Sequence, residues 1–237
     1  MDPVLSLVTG TLDRPESFNR LYRSIKERTK VPWELVVSDA SKPETKSYTT
    51  ELENVVSIRE WPRAGCVKGY NKAFAQTRGK WVIWLNDDAE VMPGYDTEAI
   101  GYMEKRPECG LGALYYANLT LPYFIQTYHD MIYANFGIIS RELGERIGWM
   151  DEVVRMYGND NSICFRVLLE GRGLGSIPGA RIWHHPFVDQ QRKENVARQH
   201  EDATALMNKY RQALPFMKEV YDRYTYLVGP IVLSEDY

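Results

Sequence analysis

Short apolar runs alternate along the chain with amphipathic stretches, the order expected when strands and helices take turns. Val4 to Thr9 predicts a strand, and Phe18, Leu21, Tyr22 and Ile25 then recur at helical spacing behind Pro15, a residue suited to a first helical turn. Trp33 to Val37 and Asn54 to Arg59 predict two more strands. The loop Pro62–Gly69 leads into an expected helix from Tyr70 to Thr77. Trp81 to Leu85 is apolar without alternation, which suits a strand covered on both faces. Further on, the pattern predicts a helix over Asp96–Lys105, a strand over Gly110–Asn118, a short apolar segment at Phe136–Ser140 and a helix over Arg141–Ile147. It then predicts a helix over Ile163–Glu170 capped by Asn159 or Asp160, a turn at Gly171–Ser176 and a strand-like segment from Ile177 to Trp183. Gln191–Tyr210 reads as a polar amphipathic helix, and the apolar residues after Leu214 imply packing on the body or on a second subunit. This succession predicts an α/β fold with a Rossmann-like, mostly parallel central sheet and helices on both faces.

Composition narrows the class. A chain of 237 residues suffices for one large domain with a sizeable core, and no linker-like stretch divides it. A net charge of -3 argues against a general nucleic-acid binder. The three cysteines, Cys66, Cys109 and Cys164, are far apart and odd in number, which fits neither a disulfide framework nor a zinc site and predicts a reducing compartment. The segment Met1-Asp-Pro-Val-Leu-Ser lacks the marks of a signal peptide, and no run approaches the ~20 apolar residues of a membrane span, so a cytoplasmic protein is expected.

The candidate chemistry gathers where strands end, because ligands of open α/β sheets bind outside the carboxyl ends of the strands. Asn86, Asp87 and Asp88 follow the central apolar run. Adjacent carboxylates repel unless a cation or donors lie between them, and a hard divalent cation touching a diphosphate would suit such a cluster; an acidic turn in water is the plain alternative. Asp39 can accept from a nucleobase or ribose, or cap the next helix. The Gly65 loop offers free N–H groups and a helix dipole to an anion, with Arg63 and Lys68 close by, although its glycines fit neither the Walker nor the dinucleotide fingerprint. Asp160, at a helix start, can be a cap or a general base. His184-His185, closing a strand-like segment in a chain with an acidic cluster, points to metal ligation. Tyr123, Phe124, Tyr128 and Tyr133 can pack in the core or stack on sugar rings.

Taken together, Leu5–Thr9, Leu35–Ser41, Ala64–Asn71, Trp84–Glu90, Ile147–Glu152, Tyr157–Asp160 and Trp183-His184 resemble the inverting glycosyltransferases of the GT-A fold, family two, rhamnosyltransferase-like members included. The resemblance covers about residues 4 to 188, which sets out a GT-A domain over 1–188 and a C-terminal helical extension, 189–237, packed on it. It implies Thr9, Asp39, Arg63, Gly65, Lys68, Asn71, Asn86 and Asp87 around a UDP-, dTDP- or GDP-linked sugar. It also implies Asp88 and His184 on a divalent metal, Mn2+ or Mg2+, and Asp160 as the base for a hydroxyl of a glycan or related acceptor, with Trp149 and Asp151 near that acceptor. Two positions depart from the family pattern: Asn86 replaces the first carboxylate of the D-x-D segment, and Asn159 replaces the Glu before the base. These substitutions keep a second reading in play, a degenerate domain that binds a sugar or a partner. A sugar nucleotidyltransferase is a poorer match, because Gly10-Thr-Leu-Asp-Arg14 is not the Gly-rich basic loop it would need. Residues 189–237 leave a dimer contact or a membrane-surface contact open.

Overall fold

A computed structural model describes residues 2–117, 126–128, 131–186, 193 and 196–228. Strand β1 (Leu5–Thr11) pairs in parallel with β2 (Trp33–Asp39), and β2 with β3 (Val55–Arg59). The other side of β1 pairs in parallel with β4 (Trp81–Trp84), so β4 is central, and all of its residues are buried. Two short strands of this sheet were not expected from the pattern. β5 (Ala89–Val91) follows the acidic cluster, and β9 (Gly137–Ser140) inserts antiparallel between β4 and β6 (Cys109–Tyr116). Strand β10 (Gly173–His184) lies parallel to β6 and carries β5 antiparallel on its far side. The resulting order is β3-β2-β1-β4-β9-β6-β10-β5, in which β9 and β5 run against the rest. A separate ribbon pairs β7 (Gln126–Tyr128) with β8 (Met131–Tyr133).

Successive residues of a strand face opposite sides, and the core divides accordingly. Leu7, Leu35 and Ile83 pack with Phe18, Leu21 and Ile25 of helix α1 (Pro15–Arg28) and with Tyr95, Ala99 and Met103 of α3 (Tyr95–Glu104). Val8, Val36 and Val82 face the other layer, where α2 (Cys66–Phe74) and α5 (Asn159–Leu169) lie. Helix α4 (Arg141–Ile147) starts at Ser140, whose hydroxyl accepts the Leu143 amide. Helices α6 (Gln199–Tyr210) and α7 (Leu214–Arg223) bury Leu206, Tyr210, Met217, Val220 and Tyr221 in the same cluster as α5. The tail that follows α7 therefore starts on the body of the protein, and Ile231-Val-Leu lies outside the described residues. So do Tyr123 and Phe124; Tyr133 is half-buried against the core. Among the described residues no helix is long and apolar enough to cross a membrane.

Three boundaries differ from expectation. Helix α2 starts at Cys66 rather than Tyr70, its hydrogen bonding opened by the Gly69 amide on the Gly65 carbonyl, so Lys68 is helical. Helix α5 starts at Asn159, with Gly158 at φ 83° as its cap, so Asn159 and Asp160 occupy the first turn. Gly171–Ser176 is mostly strand: at Gly173 and Gly175 a side chain would run into Tyr224 and Tyr102, so these glycines mark close packing rather than a turn. The register slips between Ile177 and Arg181, around Pro178, which has no N–H to give a ladder.

One contact in this core bears on everything that follows. The ring of Trp84 packs closely against Gly137, where a Cβ would fall 2.3 Å from the indole. Gly137→Ala is therefore expected to push Trp84 aside and cost about 2 kcal/mol, read by urea unfolding; an unchanged midpoint would show that the ring has room to move.

Candidate active site

The site is built from the carboxyl ends of β1, β2 and β4 together with the starts of α2 and α5. At the end of β4 the chain turns outward through Asn86, Asp87 and Asp88. Tyr70 of α2 ties this turn down, its hydroxyl donating to the Leu85 carbonyl at 2.7 Å and lying 3.4 Å from Asn86 Oδ1. Asp87 is buried and already supplied with donors: Thr11 Oγ1 at 2.9 Å and Arg14 Nη1 at 3.3 Å. Burial pushes its carboxyl up to about 6 against the pull of Arg14.

Asp88 differs. It is 6% exposed, and its Oδ1 accepts no hydrogen bond among the described residues. His184 Nε2 lies 3.2 Å from that oxygen. The contact follows from the sheet, because β10 pairs with β5 so that His184 stands opposite Ala89, the residue after Asp88, and the His185 amide donates to the Asp88 carbonyl. The imidazole is held between Tyr116 and Phe136, each 5.6 Å away by ring centroid. A buried carboxylate oxygen without a donor, facing an imidazole nitrogen, has the donor set of half a cation site. Among the described residues no group of three or more His, Cys, Asp and Glu side chains could enclose a metal alone. His185 instead faces Glu90 at 3.1 Å, and Glu90 also pairs with Arg28 at 2.8 Å.

Asp160 sits in the first turn of α5, partly buried, with Oδ1 3.3 Å from the Trp84 indole nitrogen. The same N–H also points at the Asn135 carbonyl, 3.1 Å away. Burial pushes the Asp160 carboxyl up to about 8, and the shared indole bond opposes this only weakly. Its charge and that of Asp87 bear on the Cys66 thiol, which burial and these carboxylates push up to about 12.

The remaining sequence candidates divide. Gly65 is half-buried at the start of α2 with φ 111°, and Arg63 and Lys68 are exposed beside it. Thr9 is fully buried in β1. Asp39 is also fully buried and accepts from the Ser41 amide, Thr49 Oγ1 and Arg59 Nη1. Asn71 clamps the backbone of Met150 in both directions, at 3.0 and 3.2 Å. Trp149 stacks on Phe74 inside the core, centroids 4.4 Å apart and planes 4° apart. Burial raises the Asp151 carboxyl, but Lys209, Tyr210, the Val153 amide and Arg166 outweigh it and hold it at about 2. The structure thus brings Asn86, Asp87, Asp88, His184, Gly65 and Asp160 to one end of the sheet, and it gives Thr9, Asn71, Trp149 and Asp151 partners within the protein. Sequence reading missed Thr11, Arg14, Tyr70 and Trp84 as partners of the site. Only Arg14, a cation just after a strand end, carried a visible signal.

The profile of Glycosyl transferase family 2 matches residues 6–170. The chain belongs to that family. This family-2 chain is 25% identical over 256 residues to the uncharacterized protein y4gI of Sinorhizobium fredii, covering 91% of this chain and 27% of that protein. It therefore spans little more than a quarter of that relative's length. Its fold is similar to that of the mannosyltransferase PcManGT from Pyrobaculum calidifontis in complex with GDP-Man and Mn2+, with a TM-score of 0.69 and 18% identity over 96% of this chain and 70% of that one. It is also similar to GalNAc-T7 with UDP, GalNAc and Mn2+, with a TM-score of 0.65 and 15% identity over 79% of this chain and 44% of that one. The sheet and its layers are those of the GT-A glycosyltransferases.

The raised carboxyl has a thermodynamic consequence. Between the unfolded value of 3.8 and the folded value of about 8, the folded chain holds a proton on Asp160 that the unfolded chain has released. The stability tied to that proton is complete below pH ~4 and is lost as pH rises through about 8. Asp160→Asn should remove this dependence, so its melting temperature should match the wild type near pH 4 and exceed it near pH 9. Parallel melting curves across that range would show that Asp160 is solvated in the fold.

Proposed function

We propose that this chain transfers a sugar from a nucleoside diphosphate sugar to an acceptor hydroxyl, with inversion at the sugar carbon. The observation that carries this reading is the pairing, at one end of β4, of a buried Asp88 oxygen that lacks a donor with an Asp160 carboxyl of raised proton affinity. The donor diphosphate would lie between the start of α2 and the Asn86–Asp88 turn, with the helix N–H groups and the cations of Arg63 and Lys68 on its phosphates. Asp88 and His184 would hold a divalent cation, Mn2+ or Mg2+, whose part when bound is to offset charge on the leaving diphosphate.

Asp160 acts on the acceptor. Its Oδ1 is engaged by the Trp84 indole, which leaves Oδ2 to take the proton of the attacking hydroxyl. An affinity near the working pH suits that task, since such a carboxylate is a far stronger base than one at its ordinary value. In-line attack opposite the diphosphate inverts the carbon. The proposed donor is a hexose or deoxyhexose carried on GDP, UDP or dTDP, and the proposed acceptor a glycan in polysaccharide assembly in the cytoplasm.

Thermal shift against GDP, UDP and dTDP with and without Mn2+ tests the donor half. One nucleotide is expected to raise the melting temperature in a Mn2+-dependent way, and Asp88→Ala or His184→Ala to abolish the Mn2+ increment. No shift with any nucleotide would favour a binding domain instead. For the acceptor half, Asp160→Asn should lower turnover of the donor so identified by about 1,000-fold while leaving nucleotide affinity intact. Full turnover in that variant would remove Asp160 from the chemistry.

A further inference from the structure

Helix α6 holds the segment that delivers Asp160. Asp202, on its first turn, is 5% exposed and accepts three successive backbone amides: Arg155 at 3.0 Å on Oδ1, and Met156 and Tyr157 at 3.0 and 2.9 Å on Oδ2. At the other end of the helix, Lys209 and Tyr210 each reach Asp151 Oδ2 at 2.6 Å. The segment from Asp151 to Tyr157 is thereby fixed at both ends by one helix.

The same segment touches both halves of the site. The Arg155 carbonyl accepts the Val67 amide in the first turn of α2 at 3.3 Å, beside Gly65. Tyr157 is followed by Gly158, the cap of α5, and then by Asn159 and Asp160. Leu206 of α6 packs over Gly158, where a Cβ would lie 3.1 Å from it. Three aligned amides on one carboxylate make a stiff joint, since each is a charge-assisted bond in a water-poor site. We propose that Asp202 is a positioning residue for the transfer reaction: by gathering the amides of Arg155, Met156 and Tyr157 it sets where Asp160 stands relative to the α2 loop and the Trp84 indole. This rests on the reading of Asp160 as the base.

The test reads Asp160 directly and needs no substrate. The Trp84 indole N–H resonance reports the charge on its acceptor, Asp160. The other groups that feel this carboxylate are Cys66 of α2 and Cys164 of α5, which burial pushes up to about 12, and Tyr70 of α2 and Tyr133 of β8, which burial also pushes up. Asp87 bears on Cys66 and Tyr70 too, but titrates lower, at about 6. In the wild type the indole resonance is expected to follow a transition near pH 8 that is missing in Asp160→Asn. Asp202→Asn turns an N–H2 group toward backbone donors. It is expected to displace that transition, to cut hydrogen-exchange protection at Arg155–Tyr157 by about tenfold, and to leave GDP, UDP and Mn2+ binding within about twofold. Turnover should fall about 10- to 100-fold, the scale of a small misplacement of a reacting group. A superimposable indole titration in folded Asp202→Asn overturns the proposal, and so does equal loss of nucleotide binding. Should that variant not fold, Asp202→Glu is read by the same criteria, and failure of both to fold assigns Asp202 to stability alone. Turnover surviving in Asp160→Asn would defeat the base assignment by itself, whatever the indole resonance does.

Discussion

A carboxylate removed from water must be given donors or give up its charge, and this fold meets that constraint again and again. Glu34 receives Ser6 and Arg78, Glu60 receives Ser38 and Lys72, and Asp39 receives an amide, a hydroxyl and a guanidinium. Asp202 takes three amides, and Asp151 takes two cations, Arg166 and Lys209, on one oxygen. Asp96 leaves one oxygen bare but engages the other with the amides of Lys30 and Val31. Against this habit, Asp88 and Asp160 stand out as under-supplied. They are also the two acids at the mouth of the sheet whose deficit a cation or a proton can fill. The well-supplied acids hold the frame, and the poorly supplied ones are those the proposed chemistry would use.

The architecture explains why both stand at one end of β4. Trp84 ends β4 two residues before Asn86, so the indole that meets Asp160 and the turn that carries Asp88 are fixed by the same strand. β4 is in turn held by β1 on one side and β9 on the other. The antiparallel β9 brings Gly137 beneath the Trp84 ring, which makes a small residue in a short strand part of the geometry of the site.

Much of this was legible in the chain. An unbroken apolar run ending in acids reads as a buried strand with a candidate site at its tip, because a run too short for a helix and without alternation suits a strand covered on both faces, and Trp81–Asp88 fits that description. His184 was legible for a related reason, as a polar residue closing a strand. What could not be read are partnerships that leave no pattern. Asp202 works on backbone amides, which every residue has, and it lies 45 to 47 positions from them. The resemblance implies Trp149 near the acceptor, and nothing in the chain pattern shows that its ring stacks on Phe74, a choice made by packing. Glycines misled in both directions: at 173 and 175 they accommodate neighbouring rings within a strand, whereas at 158 a glycine is the true helix cap.

The pairing of β5 with β10 carries a kinetic meaning. It joins Ala89 to His184 across 95 positions of the chain, and it is the pairing that brings His184 to Asp88. Closing so long a loop is entropically costly and contributes nothing locally until β6 and β9 are in place to receive β10. During synthesis Asp88 must wait for His184 until nearly the whole of the paired sheet has emerged, whereas Asp87 meets Thr11 and Arg14 from the start of the chain. The half-made sheet therefore holds the acidic turn but not the imidazole that comes to face it.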